Sequence, residues 1–349
     1  MTEAVYVLEP GSYLRREGLA LKIVKEGETI DNIPADGLKR LILVGHVSLS
    51  GAVLDYLIQN RVETVFLTPT GRFRARLMPD EHKHVSLRRA QYLTLSDPQR
   101  ALPIAAAIVR GKAENCLQML IRRASDYQAP ELRKAAASIR PMMLQAGRAQ
   151  SLPELRGIEG AIARMYYAAF PGMIRNPLFP FNGRNRRPPL DPINALLSFA
   201  YTLVTNEVLS AIKTVGLDPY LGALHEEEYG RPSLACDLAE EYRCFIADRL
   251  VLGIVNRRRI TPEDFVYRGK PPAEFTDEEE MRRRRPVEMK PAVCKAFIAS
   301  YEETMRRSIF YPPLSKKVNL RWLIVNQARR FADSLEHPEK GYQPFVWEA

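Results

Sequence analysis

The sequence predicts an α+β chain, with a β-rich amino-terminal domain over residues 1–85 and a mainly α-helical domain over residues 86–349. Three observations carry that expectation. The length of 349 residues corresponds to about two ordinary domains. Short Val-, Ile- and Leu-rich runs separated by Gly, Pro, Asp and Asn fill the first part. Beyond about residue 86 the apolar residues instead recur every three or four positions.

Taken in order, AVYVLEP, GLALKIVKEGETIDNI and RLILVGHVSL read as strands and their turns. Leu49, Val53, Leu54, Leu57 and Ile58 then fall at helical spacing, so one short helix is expected against the sheet, followed by a buried strand in VETVFLT. The helical part is punctuated by Pro- or Gly-containing stretches at 171–192, 216–232 and 268–291. The run FTDEEEMRRRRP reads as an exposed helix turn or a mobile loop.

Composition narrows the function classes. With 46% apolar and 26% charged residues the chain has the balance of a globular protein. No stretch reaches the roughly 20 uninterrupted apolar residues of a membrane span, and the amino terminus lacks the features of a secretion signal. A cytoplasmic chain with no membrane partner is therefore expected. Cys116, Cys236, Cys244 and Cys294 form no CxxC pair and read as reduced, packed thiols. Phosphate-loop, dinucleotide-loop and GxSxG signatures are missing from the sequence.

Lys and Arg number 51 against 41 Asp and Glu, a net charge of +10 that points first to nucleic acid. The charge is clustered, in GRNRRPP (183–189), NRRRI (256–260) and MRRRRP (281–286). Arg184, Arg186 and Arg187 in the first and Arg282, Arg283, Arg284 and Arg285 in the third are candidate DNA-binding residues, because guanidinium groups suit bidentate phosphate contact.

The most informative stretch is GALHEEEYGRPSLACDLAEEYR (222–243), where His225 precedes a helix carrying Asp237, Glu240 and Glu241 at i, i+3 and i+4. Pro232 and Ser233 supply a start signal, and the Gly-Arg-Pro turn can fold His225 back over the acids. Glu159, on the apolar stripe Ile158, Ile162, Met165 and Ala169, is a further acid that needs a partner there. An imidazole with two carboxylates suits Mg²⁺ or Mn²⁺. The same pattern also describes solvated helix acids and an ordinary hydrogen-bonded histidine, so spacing alone leaves the metal site open. Tyr166, seven residues after Glu159, reads more readily as packing than as a phosphate contact.

Several long segments, in order, resemble one family: LRGIEGAIARMYY, FNGRNRRPPLDPINALLSFAYTLV, GLDPYLGALHEEEYGRPSLACDLAEEYR, and the closing QARRFADSL and GYQPF. The chain resembles the universal integrase of CRISPR adaptation, the first-numbered family of CRISPR-associated (Cas) proteins. The resemblance implies a homodimer formed through the β-rich domain and a metal-dependent DNA integrase and endonuclease in the helical one. Metal ligands then fall on Glu159, His225 and Glu240, and a further active-site acid on Asp237. Its implied partners are double-stranded DNA, both fragment and CRISPR repeat, and a small ferredoxin-like protein, the second-numbered Cas protein, joining in a heterohexamer; a processing nuclease is left open. The implied reaction is transesterification, in which 3′-hydroxyl ends of short fragments are joined to the repeat array. A metal-dependent nuclease for branched DNA in repair and a non-catalytic DNA-bridging scaffold are the alternatives.

Overall fold

In the computed structural model, which describes residues 4–68, 73–77, 84–185, 188–268 and 287–347, the run Leu41-Ile42-Leu43-Val44 forms the spine of the first of two units. That unit is Met1–Glu81 and the second is His82–Ala349. The run lies in β5 (Arg40–Val44), whose apolar residues are continuous because both faces are buried. Leu41 and Leu43 enter one core, while Ile42 and Val44 enter another with Ala4, Val65 and Leu67.

In the first sheet β1 (Ala4–Val7), β5 and β7 (Glu63–Leu67) run parallel, and β8 (Phe73–Leu77) closes one edge antiparallel to β7. The second sheet is the meander β2 (Tyr13–Glu17), β3 (Ala20–Lys25) and β4 (Glu28–Pro34), with the two-residue β6 (Ser48–Leu49) parallel to β2. Leu14, Leu21, Ile23 and Ile33 share the larger core with Val53 and Leu57 of the expected short helix, α1 (Gly51–Gln59). Ser50 caps that helix, its side chain accepting from the Val53 N–H.

The second unit is mainly helical. Its first helix is α2 (Val85–Leu95) and its longest is α3 (Pro98–Tyr127), begun by the Asp97 cap with Pro98 in the first turn and ended by Gln128 in the left-handed conformation at φ 51°. It packs against α4 (Pro130–Ala146), α5 (Leu152–Ala169) and α7 (Ser233–Tyr242). α6 (Pro192–Val215) begins at the Asp191 cap and stops at Gly216, φ 97°. By length and composition α6 could cross a membrane, but 78% of its most apolar window is buried inside the fold, which makes it a core helix. A π-helical turn, Arg243–Asp248, links α7 to α8 (Arg249–Asn256).

The sequence reading missed two small antiparallel strand pairs in this unit, Phe265–Tyr267 with Val287–Met289 and Ser308–Tyr311 with Lys316–Asn319. Strands of three or four residues are too short for alternation to stand out. The acidic-to-basic run at 275–286 lies outside the described residues.

Candidate metal centre

α3 buries a stripe containing Ile108, Val109, Lys112, Cys116 and Met119, so a lysine occupies a core position. Lys112 is 8% exposed. Its ammonium hydrogen-bonds Glu159 of α5 and stands 2.7 Å from Glu240 Oε2 of α7. Arg243, one turn after Glu240, takes the other oxygen of that carboxylate. Burial by itself would raise the Glu240 carboxyl, but Arg243 and then Lys112 outweigh it and hold the group down at about 2. For Lys112, burial pulls the other way and is outweighed by Glu240 and Glu159, so its ammonium is held above the usual lysine range. Two carboxylates and two cations therefore balance inside the fold.

His225 is set by a different acid. Asp237, completely buried, accepts the backbone N–H groups of Ala223 (2.7 Å) and Leu224 (2.9 Å) on one oxygen. Its other oxygen takes the His225 N–H at 3.1 Å and the imidazole Nδ1 at 2.5 Å. With Nδ1 engaged, the neutral ring presents its lone pair at Nε2, the arrangement by which a carboxylate prepares a metal-binding histidine. The close approach needs Gly222, where a Cβ would stand 2.8 Å from the Ser233 carbonyl carbon and inside contact of Asp237. Ser233 ties the same loop to the helix start, donating to the Glu226 carbonyl at 3.0 Å.

These donors fit a hard divalent ion. Glu159 and Glu240 already converge on one positive charge, the Lys112 ammonium, which meets the buried Glu240 Oε2 at 2.7 Å. Among the described residues no three His, Cys, Asp or Glu side chains yet surround a single point. The structure thus brings together Glu159 with Glu240, and His225 with Asp237, while Lys112 stands among the glutamates.

Comparison with known proteins decides the family. The family model described as CRISPR associated protein Cas1 matches residues 5–285. A CRISPR-associated endonuclease Cas1 of Moorella thermoacetica is 35% identical over 353 residues, covering 99% of each chain. The chain belongs to the Cas1 family. The solved structure of a Cas1 protein from Thermotoga maritima superposes with a TM-score of 0.78 at 26% identity, covering 99% of this chain and 100% of that one. A casposase bound to integration product shares the fold, with a TM-score of 0.82 at 21% identity over 99% of this chain and 94% of the other. The α+β expectation of a β-rich part followed by a helical one agrees with these Cas1 neighbours.

In this Cas1 chain Glu241 does not share the face of Glu240. Adjacent helix residues differ by about 100° around the axis, and the carboxyl-terminal segment claims the second one. Tyr342 donates its hydroxyl to Glu241 at 2.5 Å and the Phe345 N–H donates at 2.7 Å. Asn115 of α3 donates to the Glu241 and Phe345 carbonyls and accepts from the Trp347 N–H at 2.7 Å. None of the three acids is solvated: Asp237 and Glu241 are fully buried and Glu240 is 2% exposed.

Tyr166 packs as expected and also donates to Asp248 at 2.8 Å, while Tyr201 donates to the other Asp248 oxygen at 2.6 Å. Burial raises the Asp248 carboxyl to about 6 despite these two hydroxyls. Cys116 and Cys244 are buried free thiols with their sulfurs 2.8 Å apart. One turn beyond Glu159, Ala163 lines a cavity of about 570 Å³ together with Arg164, Tyr167, Phe181 and Arg184. Arg184 also anchors its own loop, donating to Asn194 Oδ1 at 2.7 Å and to Ser198 Oγ at 3.0 Å. Asp191 caps α6, accepting from the Asn194 N–H at 2.8 Å. Arg186, Arg187 and Arg282 to Arg285 lie outside the described residues.

Lys112 and Arg243 escaped the sequence reading. The signal for Lys112 was a lone cation inside an apolar stripe of period 3.6, and for Arg243 a basic residue three places after a candidate ligand.

Proposed function

We propose that this Cas1 family member is the metal-dependent integrase of CRISPR spacer acquisition, joining 3′-hydroxyl ends of short DNA fragments to the repeat array, with endonuclease activity at the same site. The observation that carries the site assignment is the convergence of Glu159 and Glu240 on one cation, beside a histidine whose Nδ1 is already taken by Asp237. Glu159, Glu240 and His225 Nε2 would hold Mg²⁺ or Mn²⁺. When bound, such an ion supplies Lewis acidity to the phosphoryl oxygen under attack.

The chain's own residues do the rest. Asp237 is a positioning residue, since every donor it meets belongs to residues 223–225. Arg243 keeps Glu240 charged and oriented from its far oxygen. The cavity beside Ala163, with Arg164 and Arg184 on its wall, offers room and positive charge for a DNA end. In the reaction the 3′-oxygen of the incoming end replaces a strand oxygen at phosphorus. The number of phosphodiester bonds is unchanged, so no nucleotide-binding loop is required. With water as the attacking group the same site cuts DNA.

In this reading the β-rich domain pairs two chains, and a small ferredoxin-like Cas2 bridges two such dimers in the cytoplasm. The basic clusters at 183–187 and 282–285 hold phosphates. The test is Mn²⁺-dependent strand transfer of a labelled duplex into a plasmid carrying a repeat array. Joined product lost in Glu159→Gln, His225→Ala and Glu240→Gln, with duplex binding retained, is the expected result. Normal joining by any one of them removes that residue from the ligand set.

A further inference from the structure

We propose that Lys112 is a built-in competitor of the divalent ion, holding Glu159 and Glu240 in the metal-free protein and leaving them when the site is loaded. This rests on the metal reading of the site. Lys112 is 8% exposed, and its ammonium meets two of the three candidate ligands, one on α5 and one on α7. Without it, the two carboxylates would face each other with Arg243 paired to Glu240 alone, an arrangement that costs several kcal/mol per uncompensated buried charge. The lysine therefore lets the helices pack before any metal arrives.

Charge arithmetic then forces the exchange. Glu159 and Glu240 against Lys112 and Arg243 sum to zero and the buried Asp237 carboxylate behind His225 adds one negative charge, so a divalent ion added beside an unmoved Lys112 leaves the cluster with a surplus positive charge. Arg243 cannot be the one that moves aside. Its guanidinium is held by Glu240 on one side and lies 5.2 Å from the Tyr201 ring centre on another. Lys112 has a flexible four-carbon stem and a point charge that needs no fixed fork geometry. Once displaced, its ammonium is free to meet a phosphate. Metal and DNA binding become coupled, each favouring the other by the same factor.

The experiment uses the full chain stripped with EDTA and titrated with Mn²⁺ alone by calorimetry, at fixed ionic strength. Lys112→Met keeps the length of the side chain and removes the competitor. It should bind Mn²⁺ about tenfold to a hundredfold more tightly, the change in equilibrium that one hydrogen bond to a charged group produces. Its melting temperature in EDTA should fall, and Mn²⁺ should raise it by more than in the parent chain. Lys112→Arg provides the variant that folds without metal; a bidentate guanidinium is the stronger competitor and should weaken Mn²⁺ binding. A short duplex should tighten Mn²⁺ binding in the parent chain and do so less in Lys112→Met.

Equal Mn²⁺ affinity in the parent and both variants overturns the proposal, as does weaker binding in a cooperatively melting Lys112→Met. Mn²⁺ binding that is insensitive to Glu240→Gln, or that is missing from parent and variants alike, overturns the metal reading itself and the inference with it.

Discussion

Glu240 and Glu241 are neighbours on one short helix, equally hidden from water, and the fold treats them in opposite ways. Glu240 faces Lys112 and Arg243, which outweigh the burial penalty and keep its carboxyl at about 2. Glu241 faces the carboxyl-terminal segment, where burial pushes its carboxyl up to about 8 and the Tyr342 hydroxyl and Phe345 N–H offset only part of the rise. One side of α7 is thus an ionised cluster and the other a largely neutral seam. Burial sets the size of the penalty, and only the partner decides whether charge survives it.

Each side also contains a glycine that permits a close approach. Gly222 admits Asp237 and Ser233 on the loop that carries His225. Gly111, the residue before Lys112, admits Pro344, whose Cβ would lie 2.6 Å from a Cβ added there.

The largest effect should separate the two glutamates. Glu240→Gln should cut Mn²⁺-dependent strand transfer by at least about a hundredfold, since even orienting residues around metals cost about ten- to a hundredfold. Glu241→Gln should stay within a few-fold of the parent chain, because an amide can accept from the Phe345 N–H and donate to the Tyr342 hydroxyl. The reverse pattern would break the division of α7 into two faces.

Glu241→Ala sharpens the point from the other side. Removing the acceptor of two buried donors should cost about 2–4 kcal/mol in urea unfolding, while Mn²⁺ affinity of the folded fraction holds. Gly222→Ala should act oppositely, weakening Mn²⁺ binding about tenfold in calorimetry because Asp237 and His225 must shift. Gly111→Ala should lower stability by about 1–3 kcal/mol and leave Mn²⁺ affinity unaltered, as expected of overpacking against the tail.

The remaining test is a pH dependence. Because the folded carboxyl of Glu241 sits at about 8, above its ordinary value of 4.5, the native chain holds a proton that the unfolded chain releases. Stability should fall as pH rises through that window and level off above it. Melting temperatures recorded from pH 5 to 8 should decline in the parent chain and flatten in Glu241→Gln. Parallel curves would place the charged form of Glu241 inside the seam.

Much of the scaffold was legible from residue order. RLILV was legible as a strand, and Val53 to Ile58 at helical spacing became part of α1, whereas Leu49 of the same pattern fell in β6. His225 and Asp237 could be paired in advance because only a short turn separates them, so the loop and the helix start bring them together with little choice of path. Glu159 was visible as an acid on an apolar stripe, although nothing nearby in the chain named its partner.

By itself, then, the sequence determined the β-rich and helical parts, the family, and which acids to examine as candidates, because these depend on periodicity and on motifs contiguous along the chain. Tertiary structure alone decided what each buried charge faces. Lys112 reaches Glu159 from 47 residues away, and Tyr342 reaches Glu241 from 101 away. Helical spacing sets the direction in which a side chain leaves its axis, but the group waiting there belongs to another element. For a charge hidden from water, the identity of that group is the difference between a carboxyl near 2 and one near 8.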